Sequence, residues 1–138
     1  MTEEAPKTTR ERVLVVEDNE HAAYLLRTLL EHAGYAVTVS PDGRDALAKL
    51  GSMEPVDLVI LDLMLPYVSG YQVLIEARLN AKWRQVPIVV VTGRTLEMDA
   101  VRALETGAND FVRKPFQPEE LMARVRRAID LSRQRSMP

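Results

Sequence analysis

Five short apolar runs limit what this chain can become. They are VLVV at 13–16, AVTV at 36–39, DLVILD at 57–62, PIVVV at 87–91 and DFVR at 110–113. Valine and isoleucine dominate, and most runs are continuous rather than alternating. A strand with one wet face alternates polar and apolar residues. Continuous runs are covered on both faces, which points to a parallel sheet. Helical patterns fill the gaps. Ala22, Leu25, Leu26, Leu29 and Ala33 recur at helical spacing, and Gly34 follows as a left-handed stop. Asp45 to Leu50 predicts a short second helix ended by Gly51. Tyr71 to Asn80 predicts a third, and Leu96 to Thr106 a fourth, stopped by Gly107. Pro118 suits the first turn of the last helix, with Leu121, Val125, Ala128 and Ile129 as its inner stripe.

The order is strand–helix five times over. Right-handed crossovers then place helices on both faces of one parallel sheet, so the expected class is α/β, a doubly wound (βα)5 fold. The chain of 138 residues is long enough for one such domain and its core. Residues 11–132 are expected to form it. Residues 1–10 are expected to be a disordered N-terminal segment, and 133–138 a C-terminal tail.

Composition removes several function classes. A net charge of -2 gives no electrostatic footprint for nucleic acid. The absence of cysteine excludes disulfides, thiolate metal sites and a cysteine nucleophile. No apolar run approaches the roughly 20 residues that span a bilayer. The N-terminal MTEEAPKTTRE lacks the apolar core of a signal peptide, so a cytoplasmic protein is the expectation.

In a doubly wound sheet, ligands bind beyond the carboxyl ends of the strands. The first run ends in Glu17-Asp18, the third in Asp62, the fourth in Thr92-Gly93 and the fifth in Lys114-Pro115. Three carboxylates, a hydroxyl and an ammonium would thus meet on one rim. Crowded carboxylates repel and resist losing water, so the cluster must be solvated or neutralised. Three hard oxygen donors suit Mg²⁺ or Mn²⁺, with room left for waters and phosphate oxygens. Lys114 and Thr92 would supply a positive charge and a donor for an anion.

The stretches VLVVEDNE, DLVILDLMLPYVSG, PIVVVTG and GANDFVRKPF, in that order, resemble the receiver domain of two-component response regulators. The resemblance covers about residues 12–132 and implies a flavodoxin-like fold. It implies that Asp62 is the phosphoacceptor, and that Glu17, Asp18, Asp62 and the Met64 carbonyl hold Mg²⁺ or Mn²⁺. It implies that Thr92 and Lys114 bind phosphoryl oxygens, and that the Lys114-Pro115 bond is cis. Thr92 and Phe111 would form the switch, and Met64 and Arg94 would tune the lifetime of the phosphoryl group. The partners implied are a histidine kinase or phosphotransfer protein and a downstream output protein or domain. Neither nucleic acid nor membrane would be contacted directly.

A second resemblance, in GANDFVRKPFQPEELMARVRR, is to receivers attached to winged-helix DNA-binding domains. These dimerise through helix four, strand five and helix five. It implies a weak homodimer with Asp110 pairing Arg124 and Glu105 pairing Arg126 between chains. A third basic position of that pattern is Ala100 here. No DNA-binding domain follows in this sequence, so a stand-alone or an excised receiver is expected.

Simpler roles stand beside these. Asp18 and Asn19 could cap the first helix. Asp62 could be a turn residue, Thr92-Gly93 a strand-to-helix turn, Lys114 a solvated charge and Phe111 core. His21 and His32 read as surface residues, and Trp83 as packing over a loop. Arg124, Arg126, Arg127, Arg133 and Arg135 read as a solvated face near the favourable helix end. An aspartate-nucleophile phosphatase would want a second aspartate at position 64, which is Met. A nucleotide-binding module would want a glycine-rich loop, and EDNEHA has none. A degenerate receiver acting only as an interaction module remains as an alternative.

Overall fold

The computed structural model describes residues 10–93 and 97–136. The apolar runs become β1 (Arg12–Val16), β2 (Ala36–Ser40), β3 (Leu58–Leu61), β4 (Ile88–Thr92) and β5 (Asp110–Arg113). They form one parallel sheet in the order β2-β1-β3-β4-β5. Between and after them lie α1 (Glu20–His32), α2 (Gly43–Ser52), α3 (Gly70–Leu79), α4 (Glu97–Thr106) and α5 (Pro118–Ser136). The expected (βα)5 class is the observed one.

The sheet explains why the runs are continuous. Successive strand residues point to opposite faces, and both faces are covered. Leu14, Val16, Val59, Leu61 and Val90 pack with Leu50, Leu74 and Ala103 from α2, α3 and α4. Val13, Val15, Ile60, Val89 and Val91 pack with Leu26, Leu30, Leu121 and Val125 from α1 and α5.

Several local expectations shift. The buried stripe of α1 is Ala23, Leu26 and Leu30, while Leu25 is exposed. The leucine pairs 25–26 and 29–30, with an alanine pair before them, allow two stripe registers, and packing on β1 selects one. Asn19, not Asp18, is the cap, its Oδ1 accepting from the Ala22 amide at 2.9 Å. α2 runs longer than expected because Asp42 caps it earlier and its Oδ1 accepts from the Asp45 amide. α5 continues past 132 to Ser136, held by Arg133 on Glu11 at 2.6 Å. Trp83 does not lie over a loop: it is fully buried in the core beneath α2 and α3. The first nine residues of the expected N-terminal segment, and Leu96 of the expected fourth helix, lie outside the described residues. Among the described residues no helix is long and apolar enough to cross a membrane.

Candidate functional site

The strand register builds the site. Val16 pairs with both Ser40 and Leu61, and Thr92 pairs with Arg113. The ladder runs one residue further: the Asp62 amide donates to Val16 O at 3.1 Å, and the Lys114 amide to Thr92 O at 2.9 Å. Glu17, Asp62, Thr92 and Lys114 therefore stand side by side along the rim of the three central strands and β5. Glu17 and Asp62 are buried, Thr92 is fully buried, and Asp18 is exposed at the mouth.

Lys114 joins the two buried acids. Its Nζ lies 2.6 Å from Glu17 Oε1 and 3.0 Å from Asp62 Oδ2. The repulsion between the acids is thus offset within the chain, by a residue 97 positions away from Glu17. On the other oxygen, Asp62 Oδ1 accepts from the Thr92 hydroxyl at 2.9 Å and from the Met64 amide at 3.0 Å. Burial pushes the Glu17 carboxyl above its ordinary pKa; the bond from Lys114 opposes this and the charge on Asp62 adds to it. Burial works against the Lys114 ammonium, but hydrogen bonds and charge from Glu17 and Asp62 outweigh it and hold its pKa above the ordinary value.

One oxygen each from Glu17, Asp18 and Asp62 lie within 4.8 Å of one another. All three donors are hard, anionic oxygens, and one of the residues is open to solvent. That donor set fits a small divalent cation that keeps part of its water. The Met64 side chain is largely exposed beside it. The Lys114-Pro115 peptide is cis. Arg94 lies outside the described residues.

Below the rim, on the outer strand β5, Phe111 pairs with Val90 and is half-buried. It lines a groove of about 480 Å³ with Ala100, Leu104, Phe116 and Glu120. The expected intermolecular pairs look different. Both Asp110 oxygens accept from Arg124 Nη1 of the same chain at 3.0 Å, and Arg124 also reaches Glu120 at 2.9 Å. Arg126 is engaged elsewhere within the chain. It forks onto Glu11 at 2.8 and 2.9 Å and lies over the Tyr35 ring. Two helical steps rotate a side chain by about 200°, which directs Arg124 and Arg126 to different partners within the chain. Arg127 shares a neighbouring groove with Asp110 and Arg124 instead. Glu105 is exposed on α4.

Three residues at or near the loop that follows Asp62 went unmarked in the sequence. Gly70 opens α3 with its Cα against the Asp62 backbone. Its signal was present in YVSG, a capping serine followed by glycine at the start of a helix. Tyr67 sits in the loop between β3 and α3, and Arg44 of α2 lies over its ring at 4.2 Å. Nothing local marks that pair, because it joins two elements.

The comparisons agree with this geometry. Residues 13–126 match the family model described as the response regulator receiver domain. The chain is 44% identical over 119 residues to the "DNA-binding response regulator MtrA" of Mycolicibacterium smegmatis, covering 86% of this chain and 50% of that protein. The chain thus spans about half the length of such relatives. Among solved structures it is similar to the receiver domain of sensor histidine kinase PA1611 from Pseudomonas aeruginosa PAO1, which holds a magnesium ion in its active site cleft. That match has a TM-score of 0.80 and 32% identity, over 88% of this chain and 98% of the other. A CheY-like receiver domain protein from Methanospirillum hungatei JF-1 superposes with a TM-score of 0.85 over 92% of this chain and 99% of its own. At 24% identity that likeness speaks for the fold.

Proposed function

Given that the chain belongs to the response regulator receiver domain family, we propose that Asp62 accepts a phosphoryl group from a phosphohistidine. The donor is a histidine kinase or phosphotransfer protein. The observation that carries this is the convergence of Lys114, Thr92 and the Met64 amide on the Asp62 carboxylate, beside two further carboxylates.

The hydrogen bonds distinguish the two oxygens. Oδ1 accepts from two donors, whereas Oδ2 accepts from Lys114 and keeps an open lone pair among the described residues. Oδ2 is the attacking atom in this reading. An O–P bond forms, the P–N bond to the imidazole breaks, and the leaving nitrogen takes the electron pair and then a proton. Lys114 and Thr92 turn from the carboxylate to the transferring oxygens, where charge accumulates in the transition state. Glu17, Asp18, Asp62 and the Met64 carbonyl would hold Mg²⁺ or Mn²⁺, which supplies charge neutralisation at the phosphoryl oxygens. The chain is a signalling domain; it assists its own phosphorylation and dephosphorylation, the latter tuned by Met64 and Arg94. On the same reading it works in the cytoplasm with its kinase.

The output follows from adjacency. Thr92 ends β4 and pairs beside β5, which carries Phe111. A hydroxyl drawn to the phosphoryl group leaves space that Phe111 fills by turning inward, and the α4-β5-α5 face shifts population. A downstream protein or domain reads that face, with no nucleic acid contact by the receiver itself. If activation also pairs two chains, Asp110 and Arg124 must exchange an internal partner for an external one. Exposed pairs contribute about 0–1 kcal/mol each, so the dimer is weak. Glu105 and Arg126 form the second pair in this reading, for which Arg126 must likewise leave Glu11.

Acetyl phosphate with Mg²⁺, followed by intact mass, tests the assignment. One added phosphoryl group in the unaltered chain and none in Asp62→Asn is expected. Undiminished labelling of Asp62→Asn would remove Asp62 from the role. Small-angle scattering with beryllofluoride tests the dimer separately, through the particle mass at high protein concentration.

A further inference from the structure

The loop between β3 and α3 holds an unusual turn. The Val68 amide donates to Pro66 O at 2.8 Å, which closes a three-residue turn around Tyr67. Tyr67 has φ +71. That is the γ-turn of the rare, strained hand, and at its centre stands a bulky residue rather than glycine. The Tyr67 ring is 71% exposed, so core burial does not hold it there.

Two consecutive residues of α2 lie against the turn. Arg44 places its guanidinium 4.2 Å from the Tyr67 ring centroid, within the range of an attractive cation–ring contact. Among the described residues Arg44 has no carboxylate partner, so the ring is its contact. Next to it, Gly43 meets Val68 so closely that a Cβ there would lie 2.2 Å from the Val68 carbonyl oxygen. The other end of the loop is fixed by α3. The Gly70 amide donates to Leu63 O at 2.9 Å, and its Cα abuts the Asp62 carbonyl. Between these anchors lies Met64, whose amide donates to Asp62 Oδ1.

We infer that Arg44 is a positioning residue for phosphoryl transfer at Asp62, acting through the Tyr67 ring. It keeps a strained turn closed, and the closed turn keeps the Met64 amide on the acceptor carboxylate. The inference rests on the phosphoacceptor reading, and it extends the working site to α2, which contributes no group to the rim.

The test follows phosphorylation by acetyl phosphate with Mg²⁺ in the unaltered chain and its variants, alongside the amide NMR resonance of Met64. Arg44→Ala lowers the maximal rate by about two- to fivefold, the factor that an exposed cation–ring contact supplies, and moves the Met64 resonance. Arg44→Lys, which keeps a cation over the ring, recovers most of both. Glycine adopts the Tyr67 backbone without strain. In a Tyr67→Gly background, therefore, Arg44→Ala changes neither readout further. An unaltered rate in Arg44→Ala, or an equal loss in both backgrounds, would overturn the inference. If the unaltered chain takes no phosphoryl group, the phosphoacceptor reading fails, and the Met64 resonance alone decides. An unmoved Met64 amide in Arg44→Ala overturns the coupling in either case.

Discussion

Replacing Gly70 by alanine adds a single methyl group against the backbone that carries the acceptor. The new Cβ would lie 2.2 Å from the Asp62 carbonyl oxygen, 2.5 Å from Leu63 Cα and 2.9 Å from the Asp62 carbonyl carbon. All three are backbone atoms, so no side chain can rotate out of the way. Restoring an ordinary contact at 3.4 Å requires a retreat of about 1.2 Å at the oxygen. The Gly70 amide also bonds Leu63 O, which tethers the same segments together. Overpacking of this kind costs about 1–3 kcal/mol. For a chain of this length that lowers the melting temperature by about 3–10 °C. Activity suffers more, because a misplacement of about 1 Å at a reacting group costs up to ~100-fold in rate.

The assay pairs urea unfolding, read at constant slope, with acetyl phosphate labelling. Gly51→Ala is the internal comparison. Gly51 lies in the last turn of α2, and a methyl group there would meet nothing within 4 Å. The loss of glycine flexibility at that position should stabilise by about 0.5–1 kcal/mol. Opposite signs for the two substitutions are expected. A Gly70→Ala chain of unaltered stability and labelling rate would refute the reasoning from close approach.

Magnesium should raise the unfolding temperature of the unaltered chain. At a concentration about tenfold above Kd the gain is about 1.4 kcal/mol, or about 5 °C. Asp18→Asn, which leaves the fold's internal bonds in place, should abolish that shift in a calorimetric scan. The Glu11 tether gives a pH dependence. The hydrogen bond from Arg126 holds the Glu11 carboxyl below its ordinary 4.5, burial opposes this, and the charges of Arg126 and Arg133 add to it. A depressed folded pKa means the stabilisation is full above the ordinary value of 4.5 and is lost as pH falls through the folded value. Glu11→Gln should therefore cost about 0.5–1 kcal/mol at neutral pH, and the difference from the unaltered chain should vanish in acid. A difference that persists at low pH would assign the effect to packing instead.

The sequence by itself determined the class of fold. Apolar runs and helical stripes are local patterns, and short, continuous Val- and Ile-rich runs bounded by turn residues are the pattern of strands in a sheet covered on both sides. It also determined which residues reach the rim, because Glu17, Asp62, Thr92 and Lys114 each stand at or just past a strand end. Tertiary structure decided who meets whom. Lys114 bridges Glu17 and Asp62 across 97 and 52 positions, a distance over which no local pattern carries information. Arg124 and Arg126 look alike in sequence, yet helix rotation sends one to Asp110 and the other to Glu11. Trp83 stands among polar neighbours in NAKWRQ and is nevertheless core, because the turn after α3 folds it under the helices. Arg44 and Tyr67 are unremarkable where each stands. Their contact exists only because α2 and the loop after β3 are brought together on the same side of the sheet, where Gly43 leaves room for the approach.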